Sequence, residues 1–101
     1  MKKAYQIHEK DNVATVLDDI EISDEVEIVS LQGGSLSKIK LKQKVISGHK
    51  LAITDCGKGE KIVKYGEIIG VASAHIAVGD WVHTHNVESD RMSIQTEGAS
   101  S

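Results

Sequence analysis

Hydrophobic and polar residues alternate along much of the chain, in runs too short for helices. In "SKIKLK", Lys38, Lys40 and Lys42 alternate with Ile39 and Leu41, the period of a half-buried strand. "VEIVS" precedes it, and Gly33-Gly34 between the two runs predicts a β-hairpin turn. "KLAIT", "KIVKY", "EIIGVAS" and "DWVHTHNV" predict further short strands. One segment supports two readings. In "NVATVLDDI", Val13, Val16, Leu17 and Ile20 have helical spacing, with Asn12 where a cap would stand. Its β-branched content favours a strand instead.

Glycine supplies the punctuation, since proline is absent. An apolar residue, two others, a glycine, two others and an apolar residue recur as Val45-Gly48-Leu51, Cys56-Gly59-Ile62 and Ile76-Gly79-Val82. Ile20-Ser23-Val26 is a weaker copy with serine in the middle. Each copy reads as a buried residue, a tight turn at positive φ, and entry into a strand. Their irregular spacing argues for a compact, mainly β domain of short strands and tight turns, and against a solenoid.

Composition narrows this picture. The 101 residues suffice for one domain, and 40% apolar content supports a modest core. With no phenylalanine and only Tyr5, Tyr65 and Trp81 as aromatics, that core must be aliphatic. No run approaches the roughly 18 apolar residues of a membrane span. "MKKAYQIHEKDN" lacks the apolar stretch of a signal peptide. The single cysteine, Cys56, excludes an internal disulfide, fits a cytoplasmic location, and sits where a buried, inert thiol belongs. A net charge of −3 argues against nucleic acid as the main partner. The charges are segregated: Glu9 to Glu27 holds eight acids and one lysine, Lys38 to Lys64 eight lysines and two acids. The basic half reads either as a surface for an anion or as the solvated face of strands. The domain is expected to occupy residues 1–87, with 88–101 as a loose polar tail.

The candidate chemistry gathers on a few residues. If "WVHTHN" is a strand, Trp81, His83, His85 and Val87 share one face, and the two histidines stand about 7 Å apart at their bases. Imidazoles so spaced can converge on zinc, iron or manganese, with His49, His75, Glu67 or Asp55 as a third ligand. They read equally as two solvated histidines making ordinary hydrogen bonds. His49 and Lys50 follow a turn glycine, where His49 suits acid–base work and Lys50 suits holding a carboxylate. Lys64, Tyr65 and Glu67 in "KYGEIIG" offer an ammonium, a hydroxyl and a carboxylate beside two glycines.

Taken in order, "DNVATVLDDI" and "SGHKLAITDCGKGEKIVKYGEIIGVASAHIAVGDWVHTHN" resemble the small N-terminal SAF domain of the altronate and galactarate dehydratases. The resemblance runs from about Ala4 to Asn86. It is carried most specifically by Gly48-His49-Lys50, Lys64-Tyr65-Gly66 with Gly70, and His83, His85 and Asn86. It implies a β-clip fold and the removal of water from sugar acids with a divalent metal such as iron(II) or manganese(II). The related sulfolactate sulfo-lyase removes sulfite from a 2-hydroxy acid. By the resemblance, the chain is a small subunit or N-terminal domain, inactive alone, that completes the active site of a large catalytic polypeptide. That large polypeptide would hold most of the metal's ligands.

The implied roles are catalytic for His49, His83 and His85, substrate-binding for Lys50, Lys64, Tyr65 and Asn86, and metal-ligating for His83 and His85. The implied partners are the large polypeptide and an anionic sugar acid or 2-hydroxy acid, with further copies of the chain, no nucleic acid and no membrane. The resemblance leaves two alternatives: a sulfolactate sulfo-lyase small subunit, and a non-catalytic SAF binding or assembly module such as those of sialic-acid synthases and pilus-assembly proteins.

Overall fold

A computed structural model describes residues 1–89. The expected loose tail falls almost wholly on residues 90–101, outside the described residues. The alternating runs become strands: β1 (Lys2–Gln6), β2 (Val13–Val16), β3 (Glu25–Ser30), β4 (Gly34–Lys40), β5 (Lys50–Ala52), β6 (Lys61–Lys64), β7 (Glu67–Ala72), β8 (Trp81–Val82) and β9 (Val87–Glu88). They form a six-stranded sheet in the order β4-β3-β1-β2-β5-β8 and a three-stranded sheet in the order β6-β7-β9. Among the described residues β1 and β3 pair parallel and the other neighbouring strands pair antiparallel. No helix occurs among the described residues, so the fold is mainly β as the periodicity predicts.

"NVATVLDDI" resolves as the strand β2, because Val13 and Val16 are fully buried between β1 and β5. Asn12 is not a helix cap. Its Oδ1 accepts from Val63 N at 2.9 Å, its Nδ2 donates to Lys61 O at 2.9 Å, and its N donates to Val63 O at 3.2 Å. Asn12 thereby ties β2 of the large sheet to β6 of the small one. β1 gave no clear signal in the sequence. It is the strand on which β2 and β3 both pair, and its inward residues are only Ala4 and Gln6.

The repeated turns organise the whole domain. Ser23, Gly48, Gly59 and Gly79 all take positive φ, between 74° and 91°. In each copy the residue after this position donates its N–H three residues back: Asp24 to Glu21, His49 to Ile46, Glu60 to Gly57, Asp80 to Ala77. Each turn also brackets one buried residue of a partner segment. Gly48 N donates to Val16 O at 2.8 Å, and Val16 N to His49 O at 2.9 Å. The same pair of bonds joins Ser23 and Asp24 to Leu41, Gly59 and Glu60 to Ala72, and Gly79 and Asp80 to Ala52. Copies pair in twos through bridges Ile20–Val45 and Cys56–Ile76. The backbone of a short-stranded domain is thus satisfied by turns as much as by ladders.

The apolar ends of these units make two cores. Ala4, Ala14, Val16, Ile20, Val26, Ile28, Leu41, Val45 and Leu51 form one, against which Ile39, Ile53 and Trp81 pack. Val13, Ala52, Cys56, Ile62, Ala72, Ile76 and Val82 form the other, with Val87 against it. Cys56 is a free, buried thiol, and burial pushes its pKa up, as suits an inert filler. Part of the charge segregation is met within the first sheet and its flanking turns, where Lys44 Nζ lies 3.6 Å from Glu21 Oε2. Glu25 faces Lys40 and Glu27 faces Lys38 across the β3–β4 hairpin. Such opposed pairs contribute about 0.2–1 kcal/mol each, so these lysines are the charged face of an edge strand.

Candidate functional site

β8 ends after two residues. Trp81 pairs with Leu51 and Val82 with Lys50 on β5, and the chain then turns over His83 to Asn86. Asn86 makes the turn. Its Oδ1 accepts from His83 N at 3.0 Å, its Nδ2 donates to Trp81 O at 2.8 Å, and its N donates to His83 O at 3.1 Å. An asparagine that bonds nearby backbone offers the chain an alternative to the ladder. The expectation of one continuous strand over "DWVHTHNV", with Trp81, His83, His85 and Val87 on a shared face, is corrected accordingly. Val87 instead begins β9 in the other sheet. Asn86 is buried, with its amide engaged in the turn.

The imidazoles nevertheless gather around Trp81. His83 stacks on the indole with centroids 5.2 Å apart and planes 10° apart, and His85 meets the same indole at 5.0 Å and 41°. His49 approaches from its own turn, 4.9 Å from His83 and 5.5 Å from Trp81. Trp81 Nε1 donates to His49 Nδ1 at 3.1 Å. Trp81, which the sequence motif presents only as a neighbour of the histidines, is thus a member of the site.

The repeat explains why His49 is available. In three copies the residue after the positive-φ position is an acid that folds back on its own turn. Asp24 Oδ2 accepts from Glu21 N at 2.9 Å, Asp80 Oδ2 from Ala77 N at 2.9 Å, and Glu60 Oε1 from Gly57 N. The fourth copy has His49 there, and its side chain turns to Trp81. Aligning the four copies would have marked His49 as the odd member, a signal present in the sequence.

Lys50 follows on β5, opposite Thr15 of β2. Burial and the neighbouring Lys64 ammonium hold the Lys50 pKa below the ordinary lysine value. Lys64 ends β6, and its Nζ lies 4.9 Å from the Tyr65 ring centroid. Tyr65 and Gly66 both take positive φ, 57° and 75°, in the turn between β6 and β7. Buried Asp11 clamps that turn: its Oδ1 accepts from Gly66 N at 2.8 Å and its Oδ2 from His8 N at 3.1 Å. Tyr65 also lines an open groove of about 350 Å³ with Tyr5, Ile7, Thr15, Leu17 and Leu31. Thr15 is the register partner of Lys50, so the groove adjoins the basic cluster.

The cluster is positive. Partial burial, followed by nearby positive charge such as the Lys50 ammonium, holds His83 below the usual histidine pKa of 6.5. His83 is therefore neutral at neutral pH. Below about pH 6.5 the unfolded chain takes up a proton that the folded ring refuses, so this contribution to stability is complete above that value and fades as pH falls through the folded pKa. We expect the urea midpoint to fall between about pH 7.5 and about pH 5, and to fall less in His83→Gln. An equal fall in the variant would place the proton uptake elsewhere.

Among the described residues, no three of His, Cys, Asp and Glu come together as a metal centre requires. Of the four candidate third ligands, His49 lies beside His83 but its Nδ1 is taken by Trp81, and the other three are not gathered with the histidine pair. Asp55 Oδ1 accepts from Val78 N at 2.9 Å in a turn, Glu67 faces Lys64 at the start of β7, and His75 is exposed. The described residues do not by themselves build a complete metal site.

Comparison with known proteins places these features in a family. The model of the altronate/galactarate dehydratase SAF domain matches residues 2–90. The chain is 41% identical over 85 residues to altronate dehydratase of Escherichia coli, covering 84% of this chain and 16% of that enzyme. It is 34% identical over 95 residues to altronate dehydratase of Bacillus subtilis, covering 94% of this chain and 18% of that enzyme. It is 39% identical over 54 residues to (2R)-sulfolactate sulfo-lyase subunit alpha of Chromohalobacter salexigens, covering 54% of this chain and 57% of that subunit. The chain thus spans less than a fifth of the altronate dehydratases.

Proposed function

The chain belongs to the SAF-domain family of altronate/galactarate dehydratases, and from that premise we propose that it completes the active site of a larger catalytic polypeptide that removes water from a sugar acid. One observation supports this above the rest: His49, His83 and His85 gather on one indole, with Lys50 close enough to lower the basicity of His83. A binding module with no chemistry would not need three imidazoles to share a tryptophan.

Elimination of water beside a carboxylate removes the α proton, forms a carbon–carbon double bond with those electrons, and releases hydroxide, which leaves as water once protonated. His83, neutral and half-buried, suits the base that takes the α proton. Lys50 and Lys64 suit the carboxylate, because an anion offsets both the burial and the Lys64 repulsion that lower the Lys50 pKa. Tyr65, above which Lys64 sits, extends that anion site, and Asn86 positions His83 through its backbone N–H. In this reading a divalent metal, iron(II) or manganese(II), is held mainly by the large polypeptide, and the pair works in the cytoplasm.

The chain's groove is open and shallow, and such chemistry depends on a site that excludes water. The expected result is no turnover by the purified chain with altronate, galactarate or sulfolactate plus iron(II), and turnover once a large dehydratase polypeptide is added. Recovery of a large catalytic polypeptide with the tagged chain supports the reading; full activity of the chain alone refutes it. The similarity to a sulfo-lyase subunit alpha, a polypeptide of size comparable to this one, makes sulfolactate the second substrate to assay.

A further inference from the structure

We propose that Trp81 is a positioning residue that holds His49 as a neutral hydrogen-bond donor, with its proton on Nε2, for a carboxylate oxygen of the substrate. This rests on the functional reading above and assigns one residue's part in it.

The chemistry of the two partners compels the tautomer. An indole N–H can only donate. Trp81 Nε1 lies 3.1 Å from His49 Nδ1, so Nδ1 must present its lone pair. The single proton of a neutral imidazole then sits on Nε2. Such a ring has no free lone pair, because the indole N–H occupies it. What it offers is a fixed N–H dipole, which in a water-excluded site stabilises the charge that builds on a carboxylate oxygen during α-proton removal. A neutral histidine in this donor role is an established device for enolate chemistry.

The surrounding structure locks the pair. Trp81 is paired with Leu51 on β5, its N donates to Gln43 Oε1 at 3.1 Å, and its O accepts from Asn86 Nδ2 at 2.8 Å. His49 is fixed by its own turn through Gly48 and by the bond from His49 N to Ile46 O at 3.0 Å. The three acids in the equivalent turn positions close their turns with their side chains. Only the histidine copy gives up that closure, and its side chain goes to the indole instead.

The test begins with nitrogen-15 labelled chain at neutral pH, where long-range proton–nitrogen correlations report which ring nitrogen of His49 is protonated. A protonated Nε2 and bare Nδ1 are expected, shifting to a tautomer mixture in Trp81→Phe. Because Phe also changes packing, replacement of Trp81 by its benzothiophene isostere is the second variant: the shape stays and the N–H is lost. A proton on Nδ1 in the native chain, or a tautomer ratio indifferent to both variants, overturns the proposal.

In the reconstituted pair, the isostere is expected to lower kcat by about 10-fold or more with KM little changed. His49→Ala is expected to cost about 10²–10³-fold, with no further loss on adding the isostere. A tautomer shift with unchanged kcat overturns the positioning role. A pair that turns over no sugar acid overturns the functional reading instead, and the tautomer then stands or falls on the magnetic resonance result.

Discussion

His83→Ala in the reconstituted pair is expected to lower kcat by about 10²–10⁴-fold, the range of a lost general base. Partial burial of the ring disfavours its protonation, followed by nearby positive charge such as the Lys50 ammonium. A base must be unprotonated at the working pH, and these effects keep His83 so. The wild-type rate should therefore hold constant below pH 6.5, down to the depressed pKa of His83, before it falls. The truncation should leave the fold intact. His83 is half-buried, its backbone N–H stays bound to Asn86 Oδ1, and the truncation removes only its stacking on Trp81 and its contact with His49. Steady-state kinetics over a pH series, with a denaturation curve for each variant, separates the two effects. A His83→Ala enzyme within about threefold of wild type would remove His83 from the chemistry.

Ile76→Ala is expected to destabilise the domain by about 2–5 kcal/mol, the cost of emptying a closed core position. Ile76 is fully buried in the smaller core beside Cys56, Ile62, Ala72 and Val82. Its backbone exchanges two bonds of 2.8 Å with Cys56, so the two turn units cannot separate to refill the space. The small neighbours Ala52 and Ala72 have no side-chain length with which to reach into it. Against the roughly 5–15 kcal/mol that stabilises a domain, this is a large share. It should lower the thermal midpoint by more than about 10 °C. Ile69→Ala is the control, because Ile69 is 44% exposed, and its expected change is within about 0.5 kcal/mol. Equal losses at both positions would mean that the second core does not carry the stability assigned to it.

The turn repeat was readable because its cause is local. A residue at positive φ must be glycine or bear strain, so three glycines with apolar residues three positions either side announce turn, burial and strand entry together. Ser23, with φ 74°, shows that the weak copy belonged to the set. The β3–β4 hairpin was readable for the same reason. "NVATVLDDI" was not, because Val13, Val16, Leu17 and Ile20 satisfy a helical period as well as a strand. Pairing with β1 and β5 decided it, and no local pattern encodes the Asn12 bonds to β6, some fifty positions away.

The site was legible as a set of residues and illegible as a geometry. His49, Lys50, His83 and His85 could be named from their chemistry. The strand over "DWVHTHNV" was inferred from alternation, and alternation takes no account of an asparagine amide that bonds its own backbone. Trp81 carried no role of its own in the sequence, since its bond to His49 exists only through the β5–β8 register that sets the two side by side. Leu17 and Leu31 gave no hint that they would line a groove with Tyr65.

What the sequence by itself determined is therefore everything governed by short range: the short strands, the four turns, the aliphatic interior, the inert thiol and the types of side chain available for chemistry. Neighbouring residues and backbone sterics settle those. Which imidazole meets which ring, which nitrogen carries a proton, and which face holds the groove were decided only by the tertiary structure. Those properties depend on strand register and on contacts between turns far apart in the chain, and only the closing of the sheets brings them into being.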